Sequence, residues 1–263
     1  MHVQKVKCFG LRAGEGNAAL VVQGGPPDPA ARQAFARDSG VSACVFIDGN
    51  VLDYYYPHMR SPLCLHATLA AAHVLFAQQA SQAPIAATTA WRGQALTLTR
   101  EGGDIFVALQ RQPVDAVAPA VALVAELLAA PGLALASAPM VASVGSPKLL
   151  VEVTDSAALH NLRPDLARIV AWGKENGVNG CYVYCRTGAA EYEGRNFNHL
   201  DAALEDSATG VAAGALSACL GQALTMLQGH TLGNPCRILT RVDGATIHVG
   251  GAAQLAPPKA HLL

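Results

Sequence analysis

The stretch SPLCLHATLAAAHVLFAQQASQAPIAATTAW, residues 61–91, contains no Asp, Glu, Lys or Arg. The stretch SATGVAAGALSACLGQALTMLQG, residues 207–229, contains none of these residues either. Each stretch includes a helix-like segment that is apolar on nearly every face. A helix of this kind is buried on all sides or lies in a membrane. Each run falls short of about 20 strongly apolar residues and is interrupted by Gly, Ser, Gln or His, so we expect no membrane span. The sequence therefore predicts two buried central helices, starting near His66 and Ser207.

Segments typical of β-strands surround both helices, and two amphipathic helices are predicted at 121–130 and 164–177. Both buried segments open with an Ala-Thr-x-x-Ala-Ala pattern, in which the Thr could cap the helix. The repetition of this pattern in both halves indicates an ancient duplication. The predicted strands are 3–9, 18–23, 42–48, 50–56, 95–100, 104–110, 148–153, 180–186, 192–198, 236–242 and 245–251.

We predict an α+β fold of two pseudo-symmetric halves, each an antiparallel half-barrel around one central buried helix. The N-terminal half covers 1–115 and is completed by a C-terminal strand near 250–263. The C-terminal half covers 116–249. The Pro-containing segment 110–119 marks the boundary between them.

Composition limits the classes of partner. The 18 basic and 19 acidic residues nearly cancel, which gives no electrostatic reason to expect nucleic acid or an anionic membrane. Seven cysteines with no CxxC pair are expected to be reduced thiols of a cytoplasmic protein, with no metal site. The first residues lack the apolar core of a signal peptide.

Four segments together resemble the phenazine-biosynthesis (PhzF-like) family. GEGNAALVV resembles its Gly-Asn motif, and SPLCLHATLAAA its Gly-His-Ala-Thr motif. RNFNHLDAALEDSATGVAAGAL is similar to its Glu-Asp-x-Ala-Thr-Gly motif, and the closing segment to its Gly-Arg-Pro and Val-Gly-Gly strands. These segments occur in the family's order, at residues 14–22, 61–72, 195–216 and 228–251.

The resemblance implies a fold like that of diaminopimelate epimerase and a homodimer that uses neither metal nor organic cofactor. It also implies an isomerase that moves a proton on a small carboxylic acid, bound in a cleft where the N-termini of both buried helices point inward. Independently, helix N-termini offer unpaired N–H groups and a positive dipole end, which suit a carboxylate. The catalytic candidates are His66, Asp206 and Cys64. The substrate-binding candidates are Asn17, Ser42, Ala43, Leu65, Ala67, Ser207, Thr209, Gly210 and Val211.

The sequence departs from the family pattern at the general base. Where the family has Glu in a Ser-Glu-x-x-Phe segment, this chain has Ala43, which cannot transfer a proton. Leu65 replaces the Gly before the motif His, and Val211 replaces the Ser after Thr-Gly. Arg60 replaces an acid, and it is expected to be solvated unless it points inward and binds a carboxylate.

Three interpretations follow. In the first, the chain is an isomerase with a rearranged acid/base set: Cys64 lies where diaminopimelate epimerase has a catalytic thiol, and Ser207 lies near that enzyme's second cysteine. In the second, His66 and Asp206 act as a reduced acid/base pair, although Asp206 could equally be a helix N-cap. In the third, the chain is a catalytically silent relative that binds a small acid or serves as a dimeric scaffold.

Overall fold

The computed structural model describes residues 1–197 and 205–257, which fall into two compact units. The first unit takes Met1–Ala108 and the chain from Gly250 onward, and the second takes Leu109–Val249. The last residue of the predicted strand 192–198, the motif residues 198–204 and the tail residues 258–263 lie outside the described residues.

The first unit is a β-sheet with helices packed against it. Its elements are β1 (His2–Cys8), β2 (Asn17–Gln23), α1 (Pro29–Asp38), β3 (Ala43–Asp48), β4 (Val51–Tyr56), β5 (Met59–Ser61), α2 (Leu65–Gln78), β6 (Ile85–Thr89), β7 (Ala95–Glu101) and β8 (Asp104–Gln110). The last strand of the chain, β16 (Thr246–Leu255), returns to this unit and pairs with β1 through Val6 and Leu255.

The second unit repeats this plan. Its elements are α3 (Val121–Leu127), β9 (Met140–Ala142), β10 (Lys148–Glu152), α4 (Ser156–Asn161), α5 (Leu166–Asn176), β11 (Cys181–Arg186), β12 (Glu191–Phe197), β13 (Glu205–Asp206), α6 (Gly210–Leu220), β14 (Thr225–Gln228) and β15 (Cys236–Asp243). A 3-10 turn, His230–Leu232, follows strand β14.

The expectation of antiparallel half-barrels is wrong, because the strand pairing in each unit is mixed. In the first unit β2 is parallel to β3 and β4 is parallel to β6, while β3–β4 and β6–β7 are antiparallel. In the second unit β10 is parallel to β11 and β12 is parallel to β14, while β11–β12 and β14–β15 are antiparallel. Parallel neighbours need a long crossover connection. Helix α1, helix α2, the pair α4–α5 and helix α6 are those crossovers.

The two predicted central helices are confirmed as buried. In α2, Leu69, Ala70 and Ala71 are fully buried, and the helix packs on β1, β2, β3 and β4. In α6, the backbone approaches its neighbours so closely that a Cβ on Gly214 would lie 2.8 Å from methyl groups of Val144 and Val249. Small residues therefore let each sheet close tightly around its helix.

A second layer of helices explains why the central strands are apolar on both faces. In the first unit, Phe46 and Tyr55 form a buried cluster with Ala36 of α1, on the face away from α2. In the second unit, Leu149 and Val183 belong to a larger cluster that includes residues of α3, α4 and α5. Strands covered on both faces have nearly continuous apolar sequences rather than alternating ones.

No helix in the two described stretches of chain is both long and apolar enough to cross a membrane.

Truncating a side chain at the centre of α2 is expected to destabilise the protein strongly. Leu69 is fully buried, so Leu69→Ala leaves a cavity and lowers the free energy of unfolding by about 2–5 kcal/mol. Leu227→Ala is the matched control, because Leu227 is 39% exposed. Urea denaturation measures both, and equal losses in the two variants would contradict the central position of α2.

Candidate functional site

The first candidate site is the start of α2 in the first unit. The chain enters the helix from β5, and Cys64, in extended conformation, is the N-cap residue. The first helical hydrogen bond runs from Thr68 N to Cys64 O, at 2.8 Å. The expectation that Thr68 caps this helix is wrong: its hydroxyl donates to Cys64 O at 2.8 Å and lies 2.8 Å from the Tyr54 hydroxyl. Thr68 therefore fixes the first turn from inside the helix, and the N–H groups of that turn face outward from the helix end.

Cys64 and His66 form a close pair at this helix start. Cys64 Sγ lies 3.4 Å from His66 Nδ1, and the two residues are 3% and 8% exposed. Burial by itself raises the pKa of the Cys64 thiol, but the charge and the hydrogen bond of His66, with contributions from the Tyr56 hydroxyl and the Ala67 N–H, outweigh it and lower that pKa. A thiol beside an imidazole at a helix N-terminus is the arrangement that favours a thiolate.

The residues predicted around this pair lie on neighbouring elements. Ser42 Oγ lies 3.5 Å from His66 Nε2 and donates to Ala18 O at 3.0 Å. Ala43, 1% exposed, begins β3 and pairs with Ala19 of β2. Leu65 and Ala67 are buried in the first turn of α2 itself.

Asn17 begins β2 next to a required glycine. Gly16 has φ of +103°, and a Cβ there would lie 2.4 Å from Cys8 O. Only glycine fits such a close approach with positive φ. Asn17 is 8% exposed and pairs with Cys8 of β1.

The second candidate site lies where β13 leads into α6 in the second unit. Asp206 is not the helix N-cap: it ends β13, and Thr209 is the N-cap residue. Thr209 Oγ1 donates to Asp206 Oδ2 at 2.6 Å and makes no capping hydrogen bond. Ser207 Oγ accepts from Asn234 Nδ2 at 2.9 Å. Gly210 and Val211 are the first two residues of α6.

Gln228 holds this junction together, although no sequence pattern singles it out. Its Nε2 donates to Asp206 O at 2.7 Å and to Thr209 Oγ1 at 3.2 Å. Its Oε1 accepts from Thr209 N and from the Tyr182 hydroxyl, both at 3.2 Å. A fully used amide of this kind fixes the entry to α6 relative to β11 and β14.

Lys148 and Asn196 are two further buried polar residues of this unit that sequence reasoning missed. Lys148 is 5% exposed and donates from Nζ to Asn179 O. Burial lowers its pKa to about 8, although the charges of Asp206 and Cys181 oppose the shift. Asn196 pairs with Asp206 across β12 and β13. Its Oδ1 is, within the described residues, the buried side-chain oxygen without a hydrogen-bond donor.

Arg60, expected to be solvated or to bind a carboxylate, is already paired. Its Nε donates to Asp53 Oδ1 at 2.8 Å, and Arg32 Nη1 donates to Asp53 Oδ2 at 3.1 Å. Asp53 is 3% exposed. Arg60 therefore neutralises an internal carboxylate and is not a free anion-binding group.

Within residues 1–197 and 205–257, no group of three or more His, Cys, Asp or Glu side chains is placed to hold a metal ion.

Comparison with known proteins gives a consistent group. Residues 6–256 match the PhzC-PhzF family model, described as phenazine biosynthesis-like protein. The chain is 28% identical to the uncharacterized isomerase YddE of Escherichia coli K12, over 83% of this chain and 78% of YddE. It is 29% identical to the trans-2,3-dihydro-3-hydroxyanthranilate isomerase of Pseudomonas aeruginosa, over 88% of each chain. It superimposes on a solved P. aeruginosa structure described as a predicted epimerase with a TM-score of 0.79 and 26% identity, covering 96% of both chains.

The Cys64 thiol is expected to ionise below the ordinary thiol range, and His66→Gln should raise its pKa because burial then acts without the opposing imidazole charge. The pKa of the Cys64 thiol is measured from the ultraviolet absorbance of the thiolate over a pH series. The absorbance of Cys64→Ala is subtracted from that of the wild type at each pH. Cys219→Ala is the control, since burial raises the pKa of that thiol. A Cys64 midpoint at or above the ordinary value would contradict the thiolate assignment.

Lys148→Met is expected to stabilise the protein below pH 8. Lowering the lysine pKa from 10.5 to about 8 corresponds to a cost on the order of 3 kcal/mol for burying the cation. Between these pH values the native state binds fewer protons than the unfolded chain, so wild-type stability rises with pH and the advantage of Lys148→Met shrinks.

Urea denaturation at several pH values measures this difference, and exposed Lys174→Met is the control. A Lys148→Met variant that is less stable than wild type near pH 7 would show that the cation is not buried at a cost.

Proposed function

The chain belongs to the PhzC-PhzF family of phenazine biosynthesis-like proteins, and from this premise we propose that it is a cofactor-independent isomerase that moves a proton on a small carboxylic acid. The observation that carries the proposal is the contact of 3.4 Å between Cys64 Sγ and His66 Nδ1 at the start of α2. The names of YddE and of the hydroxyanthranilate isomerase support the reaction class. The homodimer implied by the family stays a prediction.

The chemistry needs an anchored acid and two groups that exchange protons with carbon. The positive end of the α2 helix dipole suits the substrate carboxylate. We propose that the Cys64 thiolate is the base that removes the proton from the substrate carbon. His66 in its protonated form, or Asp206 as the carboxylic acid, returns a proton to a different position, so the substrate is isomerised with no net gain or loss of hydrogen.

This assignment follows from the loss of the family base at Ala43. Its methyl group cannot accept a proton, so another group must act if the chain is an enzyme. Cys64 is the described titratable group beside His66 whose pKa is shifted toward the ionised form. The remaining substrate-binding candidates, proposed as a set, are Asn17, Ser42, Leu65, Ala67, Ser207, Thr209, Gly210 and Val211.

The alternative is a catalytically silent homologue that binds a small acid. Two observations favour it: Ala43 presents a buried methyl group, and Leu65 places a bulky apolar side chain in the first turn of α2, where the family resemblance expects Gly. Both residues reduce the polar surface next to Cys64 and His66.

Deuterium exchange from solvent into a panel of small carboxylic acids, followed by NMR, tests the proposal. Wild type is expected to catalyse exchange at carbon. Cys64→Ser should slow it by about 10²–10⁴-fold because it removes the base, and so should whichever of His66→Gln and Asp206→Asn removes the acid. Cys219→Ser, in α6, is the matched thiol control.

Three outcomes separate the interpretations. Exchange that survives Cys64→Ser but not His66→Gln or Asp206→Asn would favour the reduced acid/base pair. Exchange that survives all three variants would remove these residues from the mechanism. Binding of an acid by wild type without exchange would favour the silent homologue.

A further inference from the structure

Thr209 is the N-cap residue of α6, but its hydroxyl makes no capping hydrogen bond. A Thr at this position normally accepts a hydrogen bond from an N–H group of the first helical turn. Here the hydroxyl donates to Asp206 Oδ2 at 2.6 Å, and Thr209 N donates to Gln228 Oε1 at 3.2 Å. Both hydrogen-bond donors of Thr209 are therefore used inside the junction between β13 and α6.

The side-chain amide of Gln228, which is 1% exposed, fits this junction in one orientation only. Its Nε2 lies 2.7 Å from Asp206 O, and a carbonyl oxygen can only accept a hydrogen bond. Its Oε1 lies 3.2 Å from Thr209 N, and a backbone N–H group can only donate. Exchanging the two amide atoms would break both hydrogen bonds, so the main chain fixes which atom lies where.

The orientation of this amide sets the direction of a hydrogen-bond chain. One hydrogen of Gln228 Nε2 goes to Asp206 O, and the other goes to Thr209 Oγ1 at 3.2 Å. The hydroxyl of Thr209 accepts that second hydrogen and has a single hydrogen of its own. This hydrogen points to Asp206 Oδ2. The chain therefore runs from Gln228 through Thr209 to Asp206.

The direction of the chain determines which oxygen of Asp206 carries a proton when the side chain is an acid. A proton on Oδ2 would face the Thr209 hydrogen across a contact of 2.6 Å. Oδ1 lies 3.5 Å from Ala208 N, which is longer than a normal hydrogen bond. The bond from Thr209 therefore favours the proton on Oδ1.

The main chain that carries Asp206 is fixed on both sides. On the preceding residue, Glu205, the two carboxylate oxygens accept from Arg195 Nε and Nη2 at 2.8 and 2.7 Å. On the following residue, Ser207 Oγ accepts from Asn234 Nδ2 at 2.9 Å. The side-chain rotamer of Asp206 is then the freedom that remains, and the hydrogen-bond chain restricts it.

We propose that Thr209 and Gln228 are positioning residues for Asp206: their hydrogen-bond chain holds the carboxyl group in one orientation and assigns the transferable proton to Oδ1. The inference rests on the proposed function, with Asp206 as the acid. In that step the Oδ1–H bond breaks, a C–H bond forms, and the electron pair stays on the carboxylate, which regains a proton from water. Thr209, a substrate-binding candidate, then acts on the carboxyl group and not on the substrate.

NMR of the Gln228 side-chain amide tests the chain without any activity. In protein labelled with ¹⁵N at the glutamine side chains, the pair of signals absent from Gln228→Glu belongs to Gln228. Thr209→Val removes the acceptor of one amide hydrogen, so one signal of the pair is expected to move upfield and to exchange faster with solvent. Thr209→Ser keeps the hydroxyl and both signals. An unchanged pair in Thr209→Val would overturn the proposal.

The kinetics of deuterium exchange separate a positioning role from substrate binding. Thr209→Val is expected to lower the maximal exchange rate by about 10²-fold, because a small displacement of a catalytic group has an effect of this size. The acid concentration that gives half of the maximal rate should stay the same. Thr209→Ser should keep the wild-type rate. A higher half-maximal concentration at an unchanged maximal rate would show that Thr209 binds substrate, contrary to the proposal.

Thr240→Val is the matched control for the loss of a buried threonine hydroxyl. Thr240 is 3% exposed, donates to Ser217 Oγ and accepts from Leu224 N, both at 2.9 Å. Thr240→Val is expected to lower the urea midpoint, as Thr209→Val does, and to leave the exchange rate unchanged. If Thr240→Val slowed exchange as much as Thr209→Val, lost stability would explain both variants and the positioning role would be refuted.

Two outcomes separate this inference from the function on which it rests. If Asp206→Asn keeps the wild-type exchange rate, His66 is the acid, so the inference fails while the proposed function stands. If wild type exchanges no acid, the proposed function fails and the positioning role fails with it, although the NMR experiment still decides whether the hydrogen-bond chain exists.

Discussion

Covering two uncharged helices on every side is the constraint on which the structure depends. Neither α2 nor α6 contains Asp, Glu, Lys or Arg, so neither can present a face to water without exposing apolar surface. A sheet that curves around each helix meets this need, and small residues such as Gly214 allow the close approach. The start of α2 is enclosed as well, because Cys64 and His66 are buried there.

The sequence was sufficient to predict the buried helices, because a helix-length run without any charge is rarely stable in contact with water. It did not reveal the parallel pairings. Helix α1 has no continuous apolar stripe, and its buried residues are Arg32 and Ala36. Its best signal was local: Asp28 accepts from Ala31 N at 2.8 Å, and Pro29 is the first helical residue. Without α1 as a crossover, β2 and β3 looked like antiparallel neighbours.

The sequence predicted the candidate-site residues that are neighbours along the chain. It did not predict the residues that meet only because the chain folds. Residues two apart in a helix do not face each other, yet Cys64 precedes the helical turn in extended conformation, and its thiol reaches His66. Lys148 carried no signal, because a lysine at the start of a strand is usually exposed. Its burial depends on Asn179, 31 residues away.

The pairing of β1 with β16 sets the order in which the first unit can be completed. Phe9 N donates to Ala252 O and Ala256 N to Lys5 O, both at 2.8 Å, so the first strand of the chain bonds a strand that follows the entire second unit. During synthesis on the ribosome, β1 therefore waits with an open hydrogen-bonding edge while Leu109–Val249 emerge. Such an edge is a template for association with other chains until the last strand covers it.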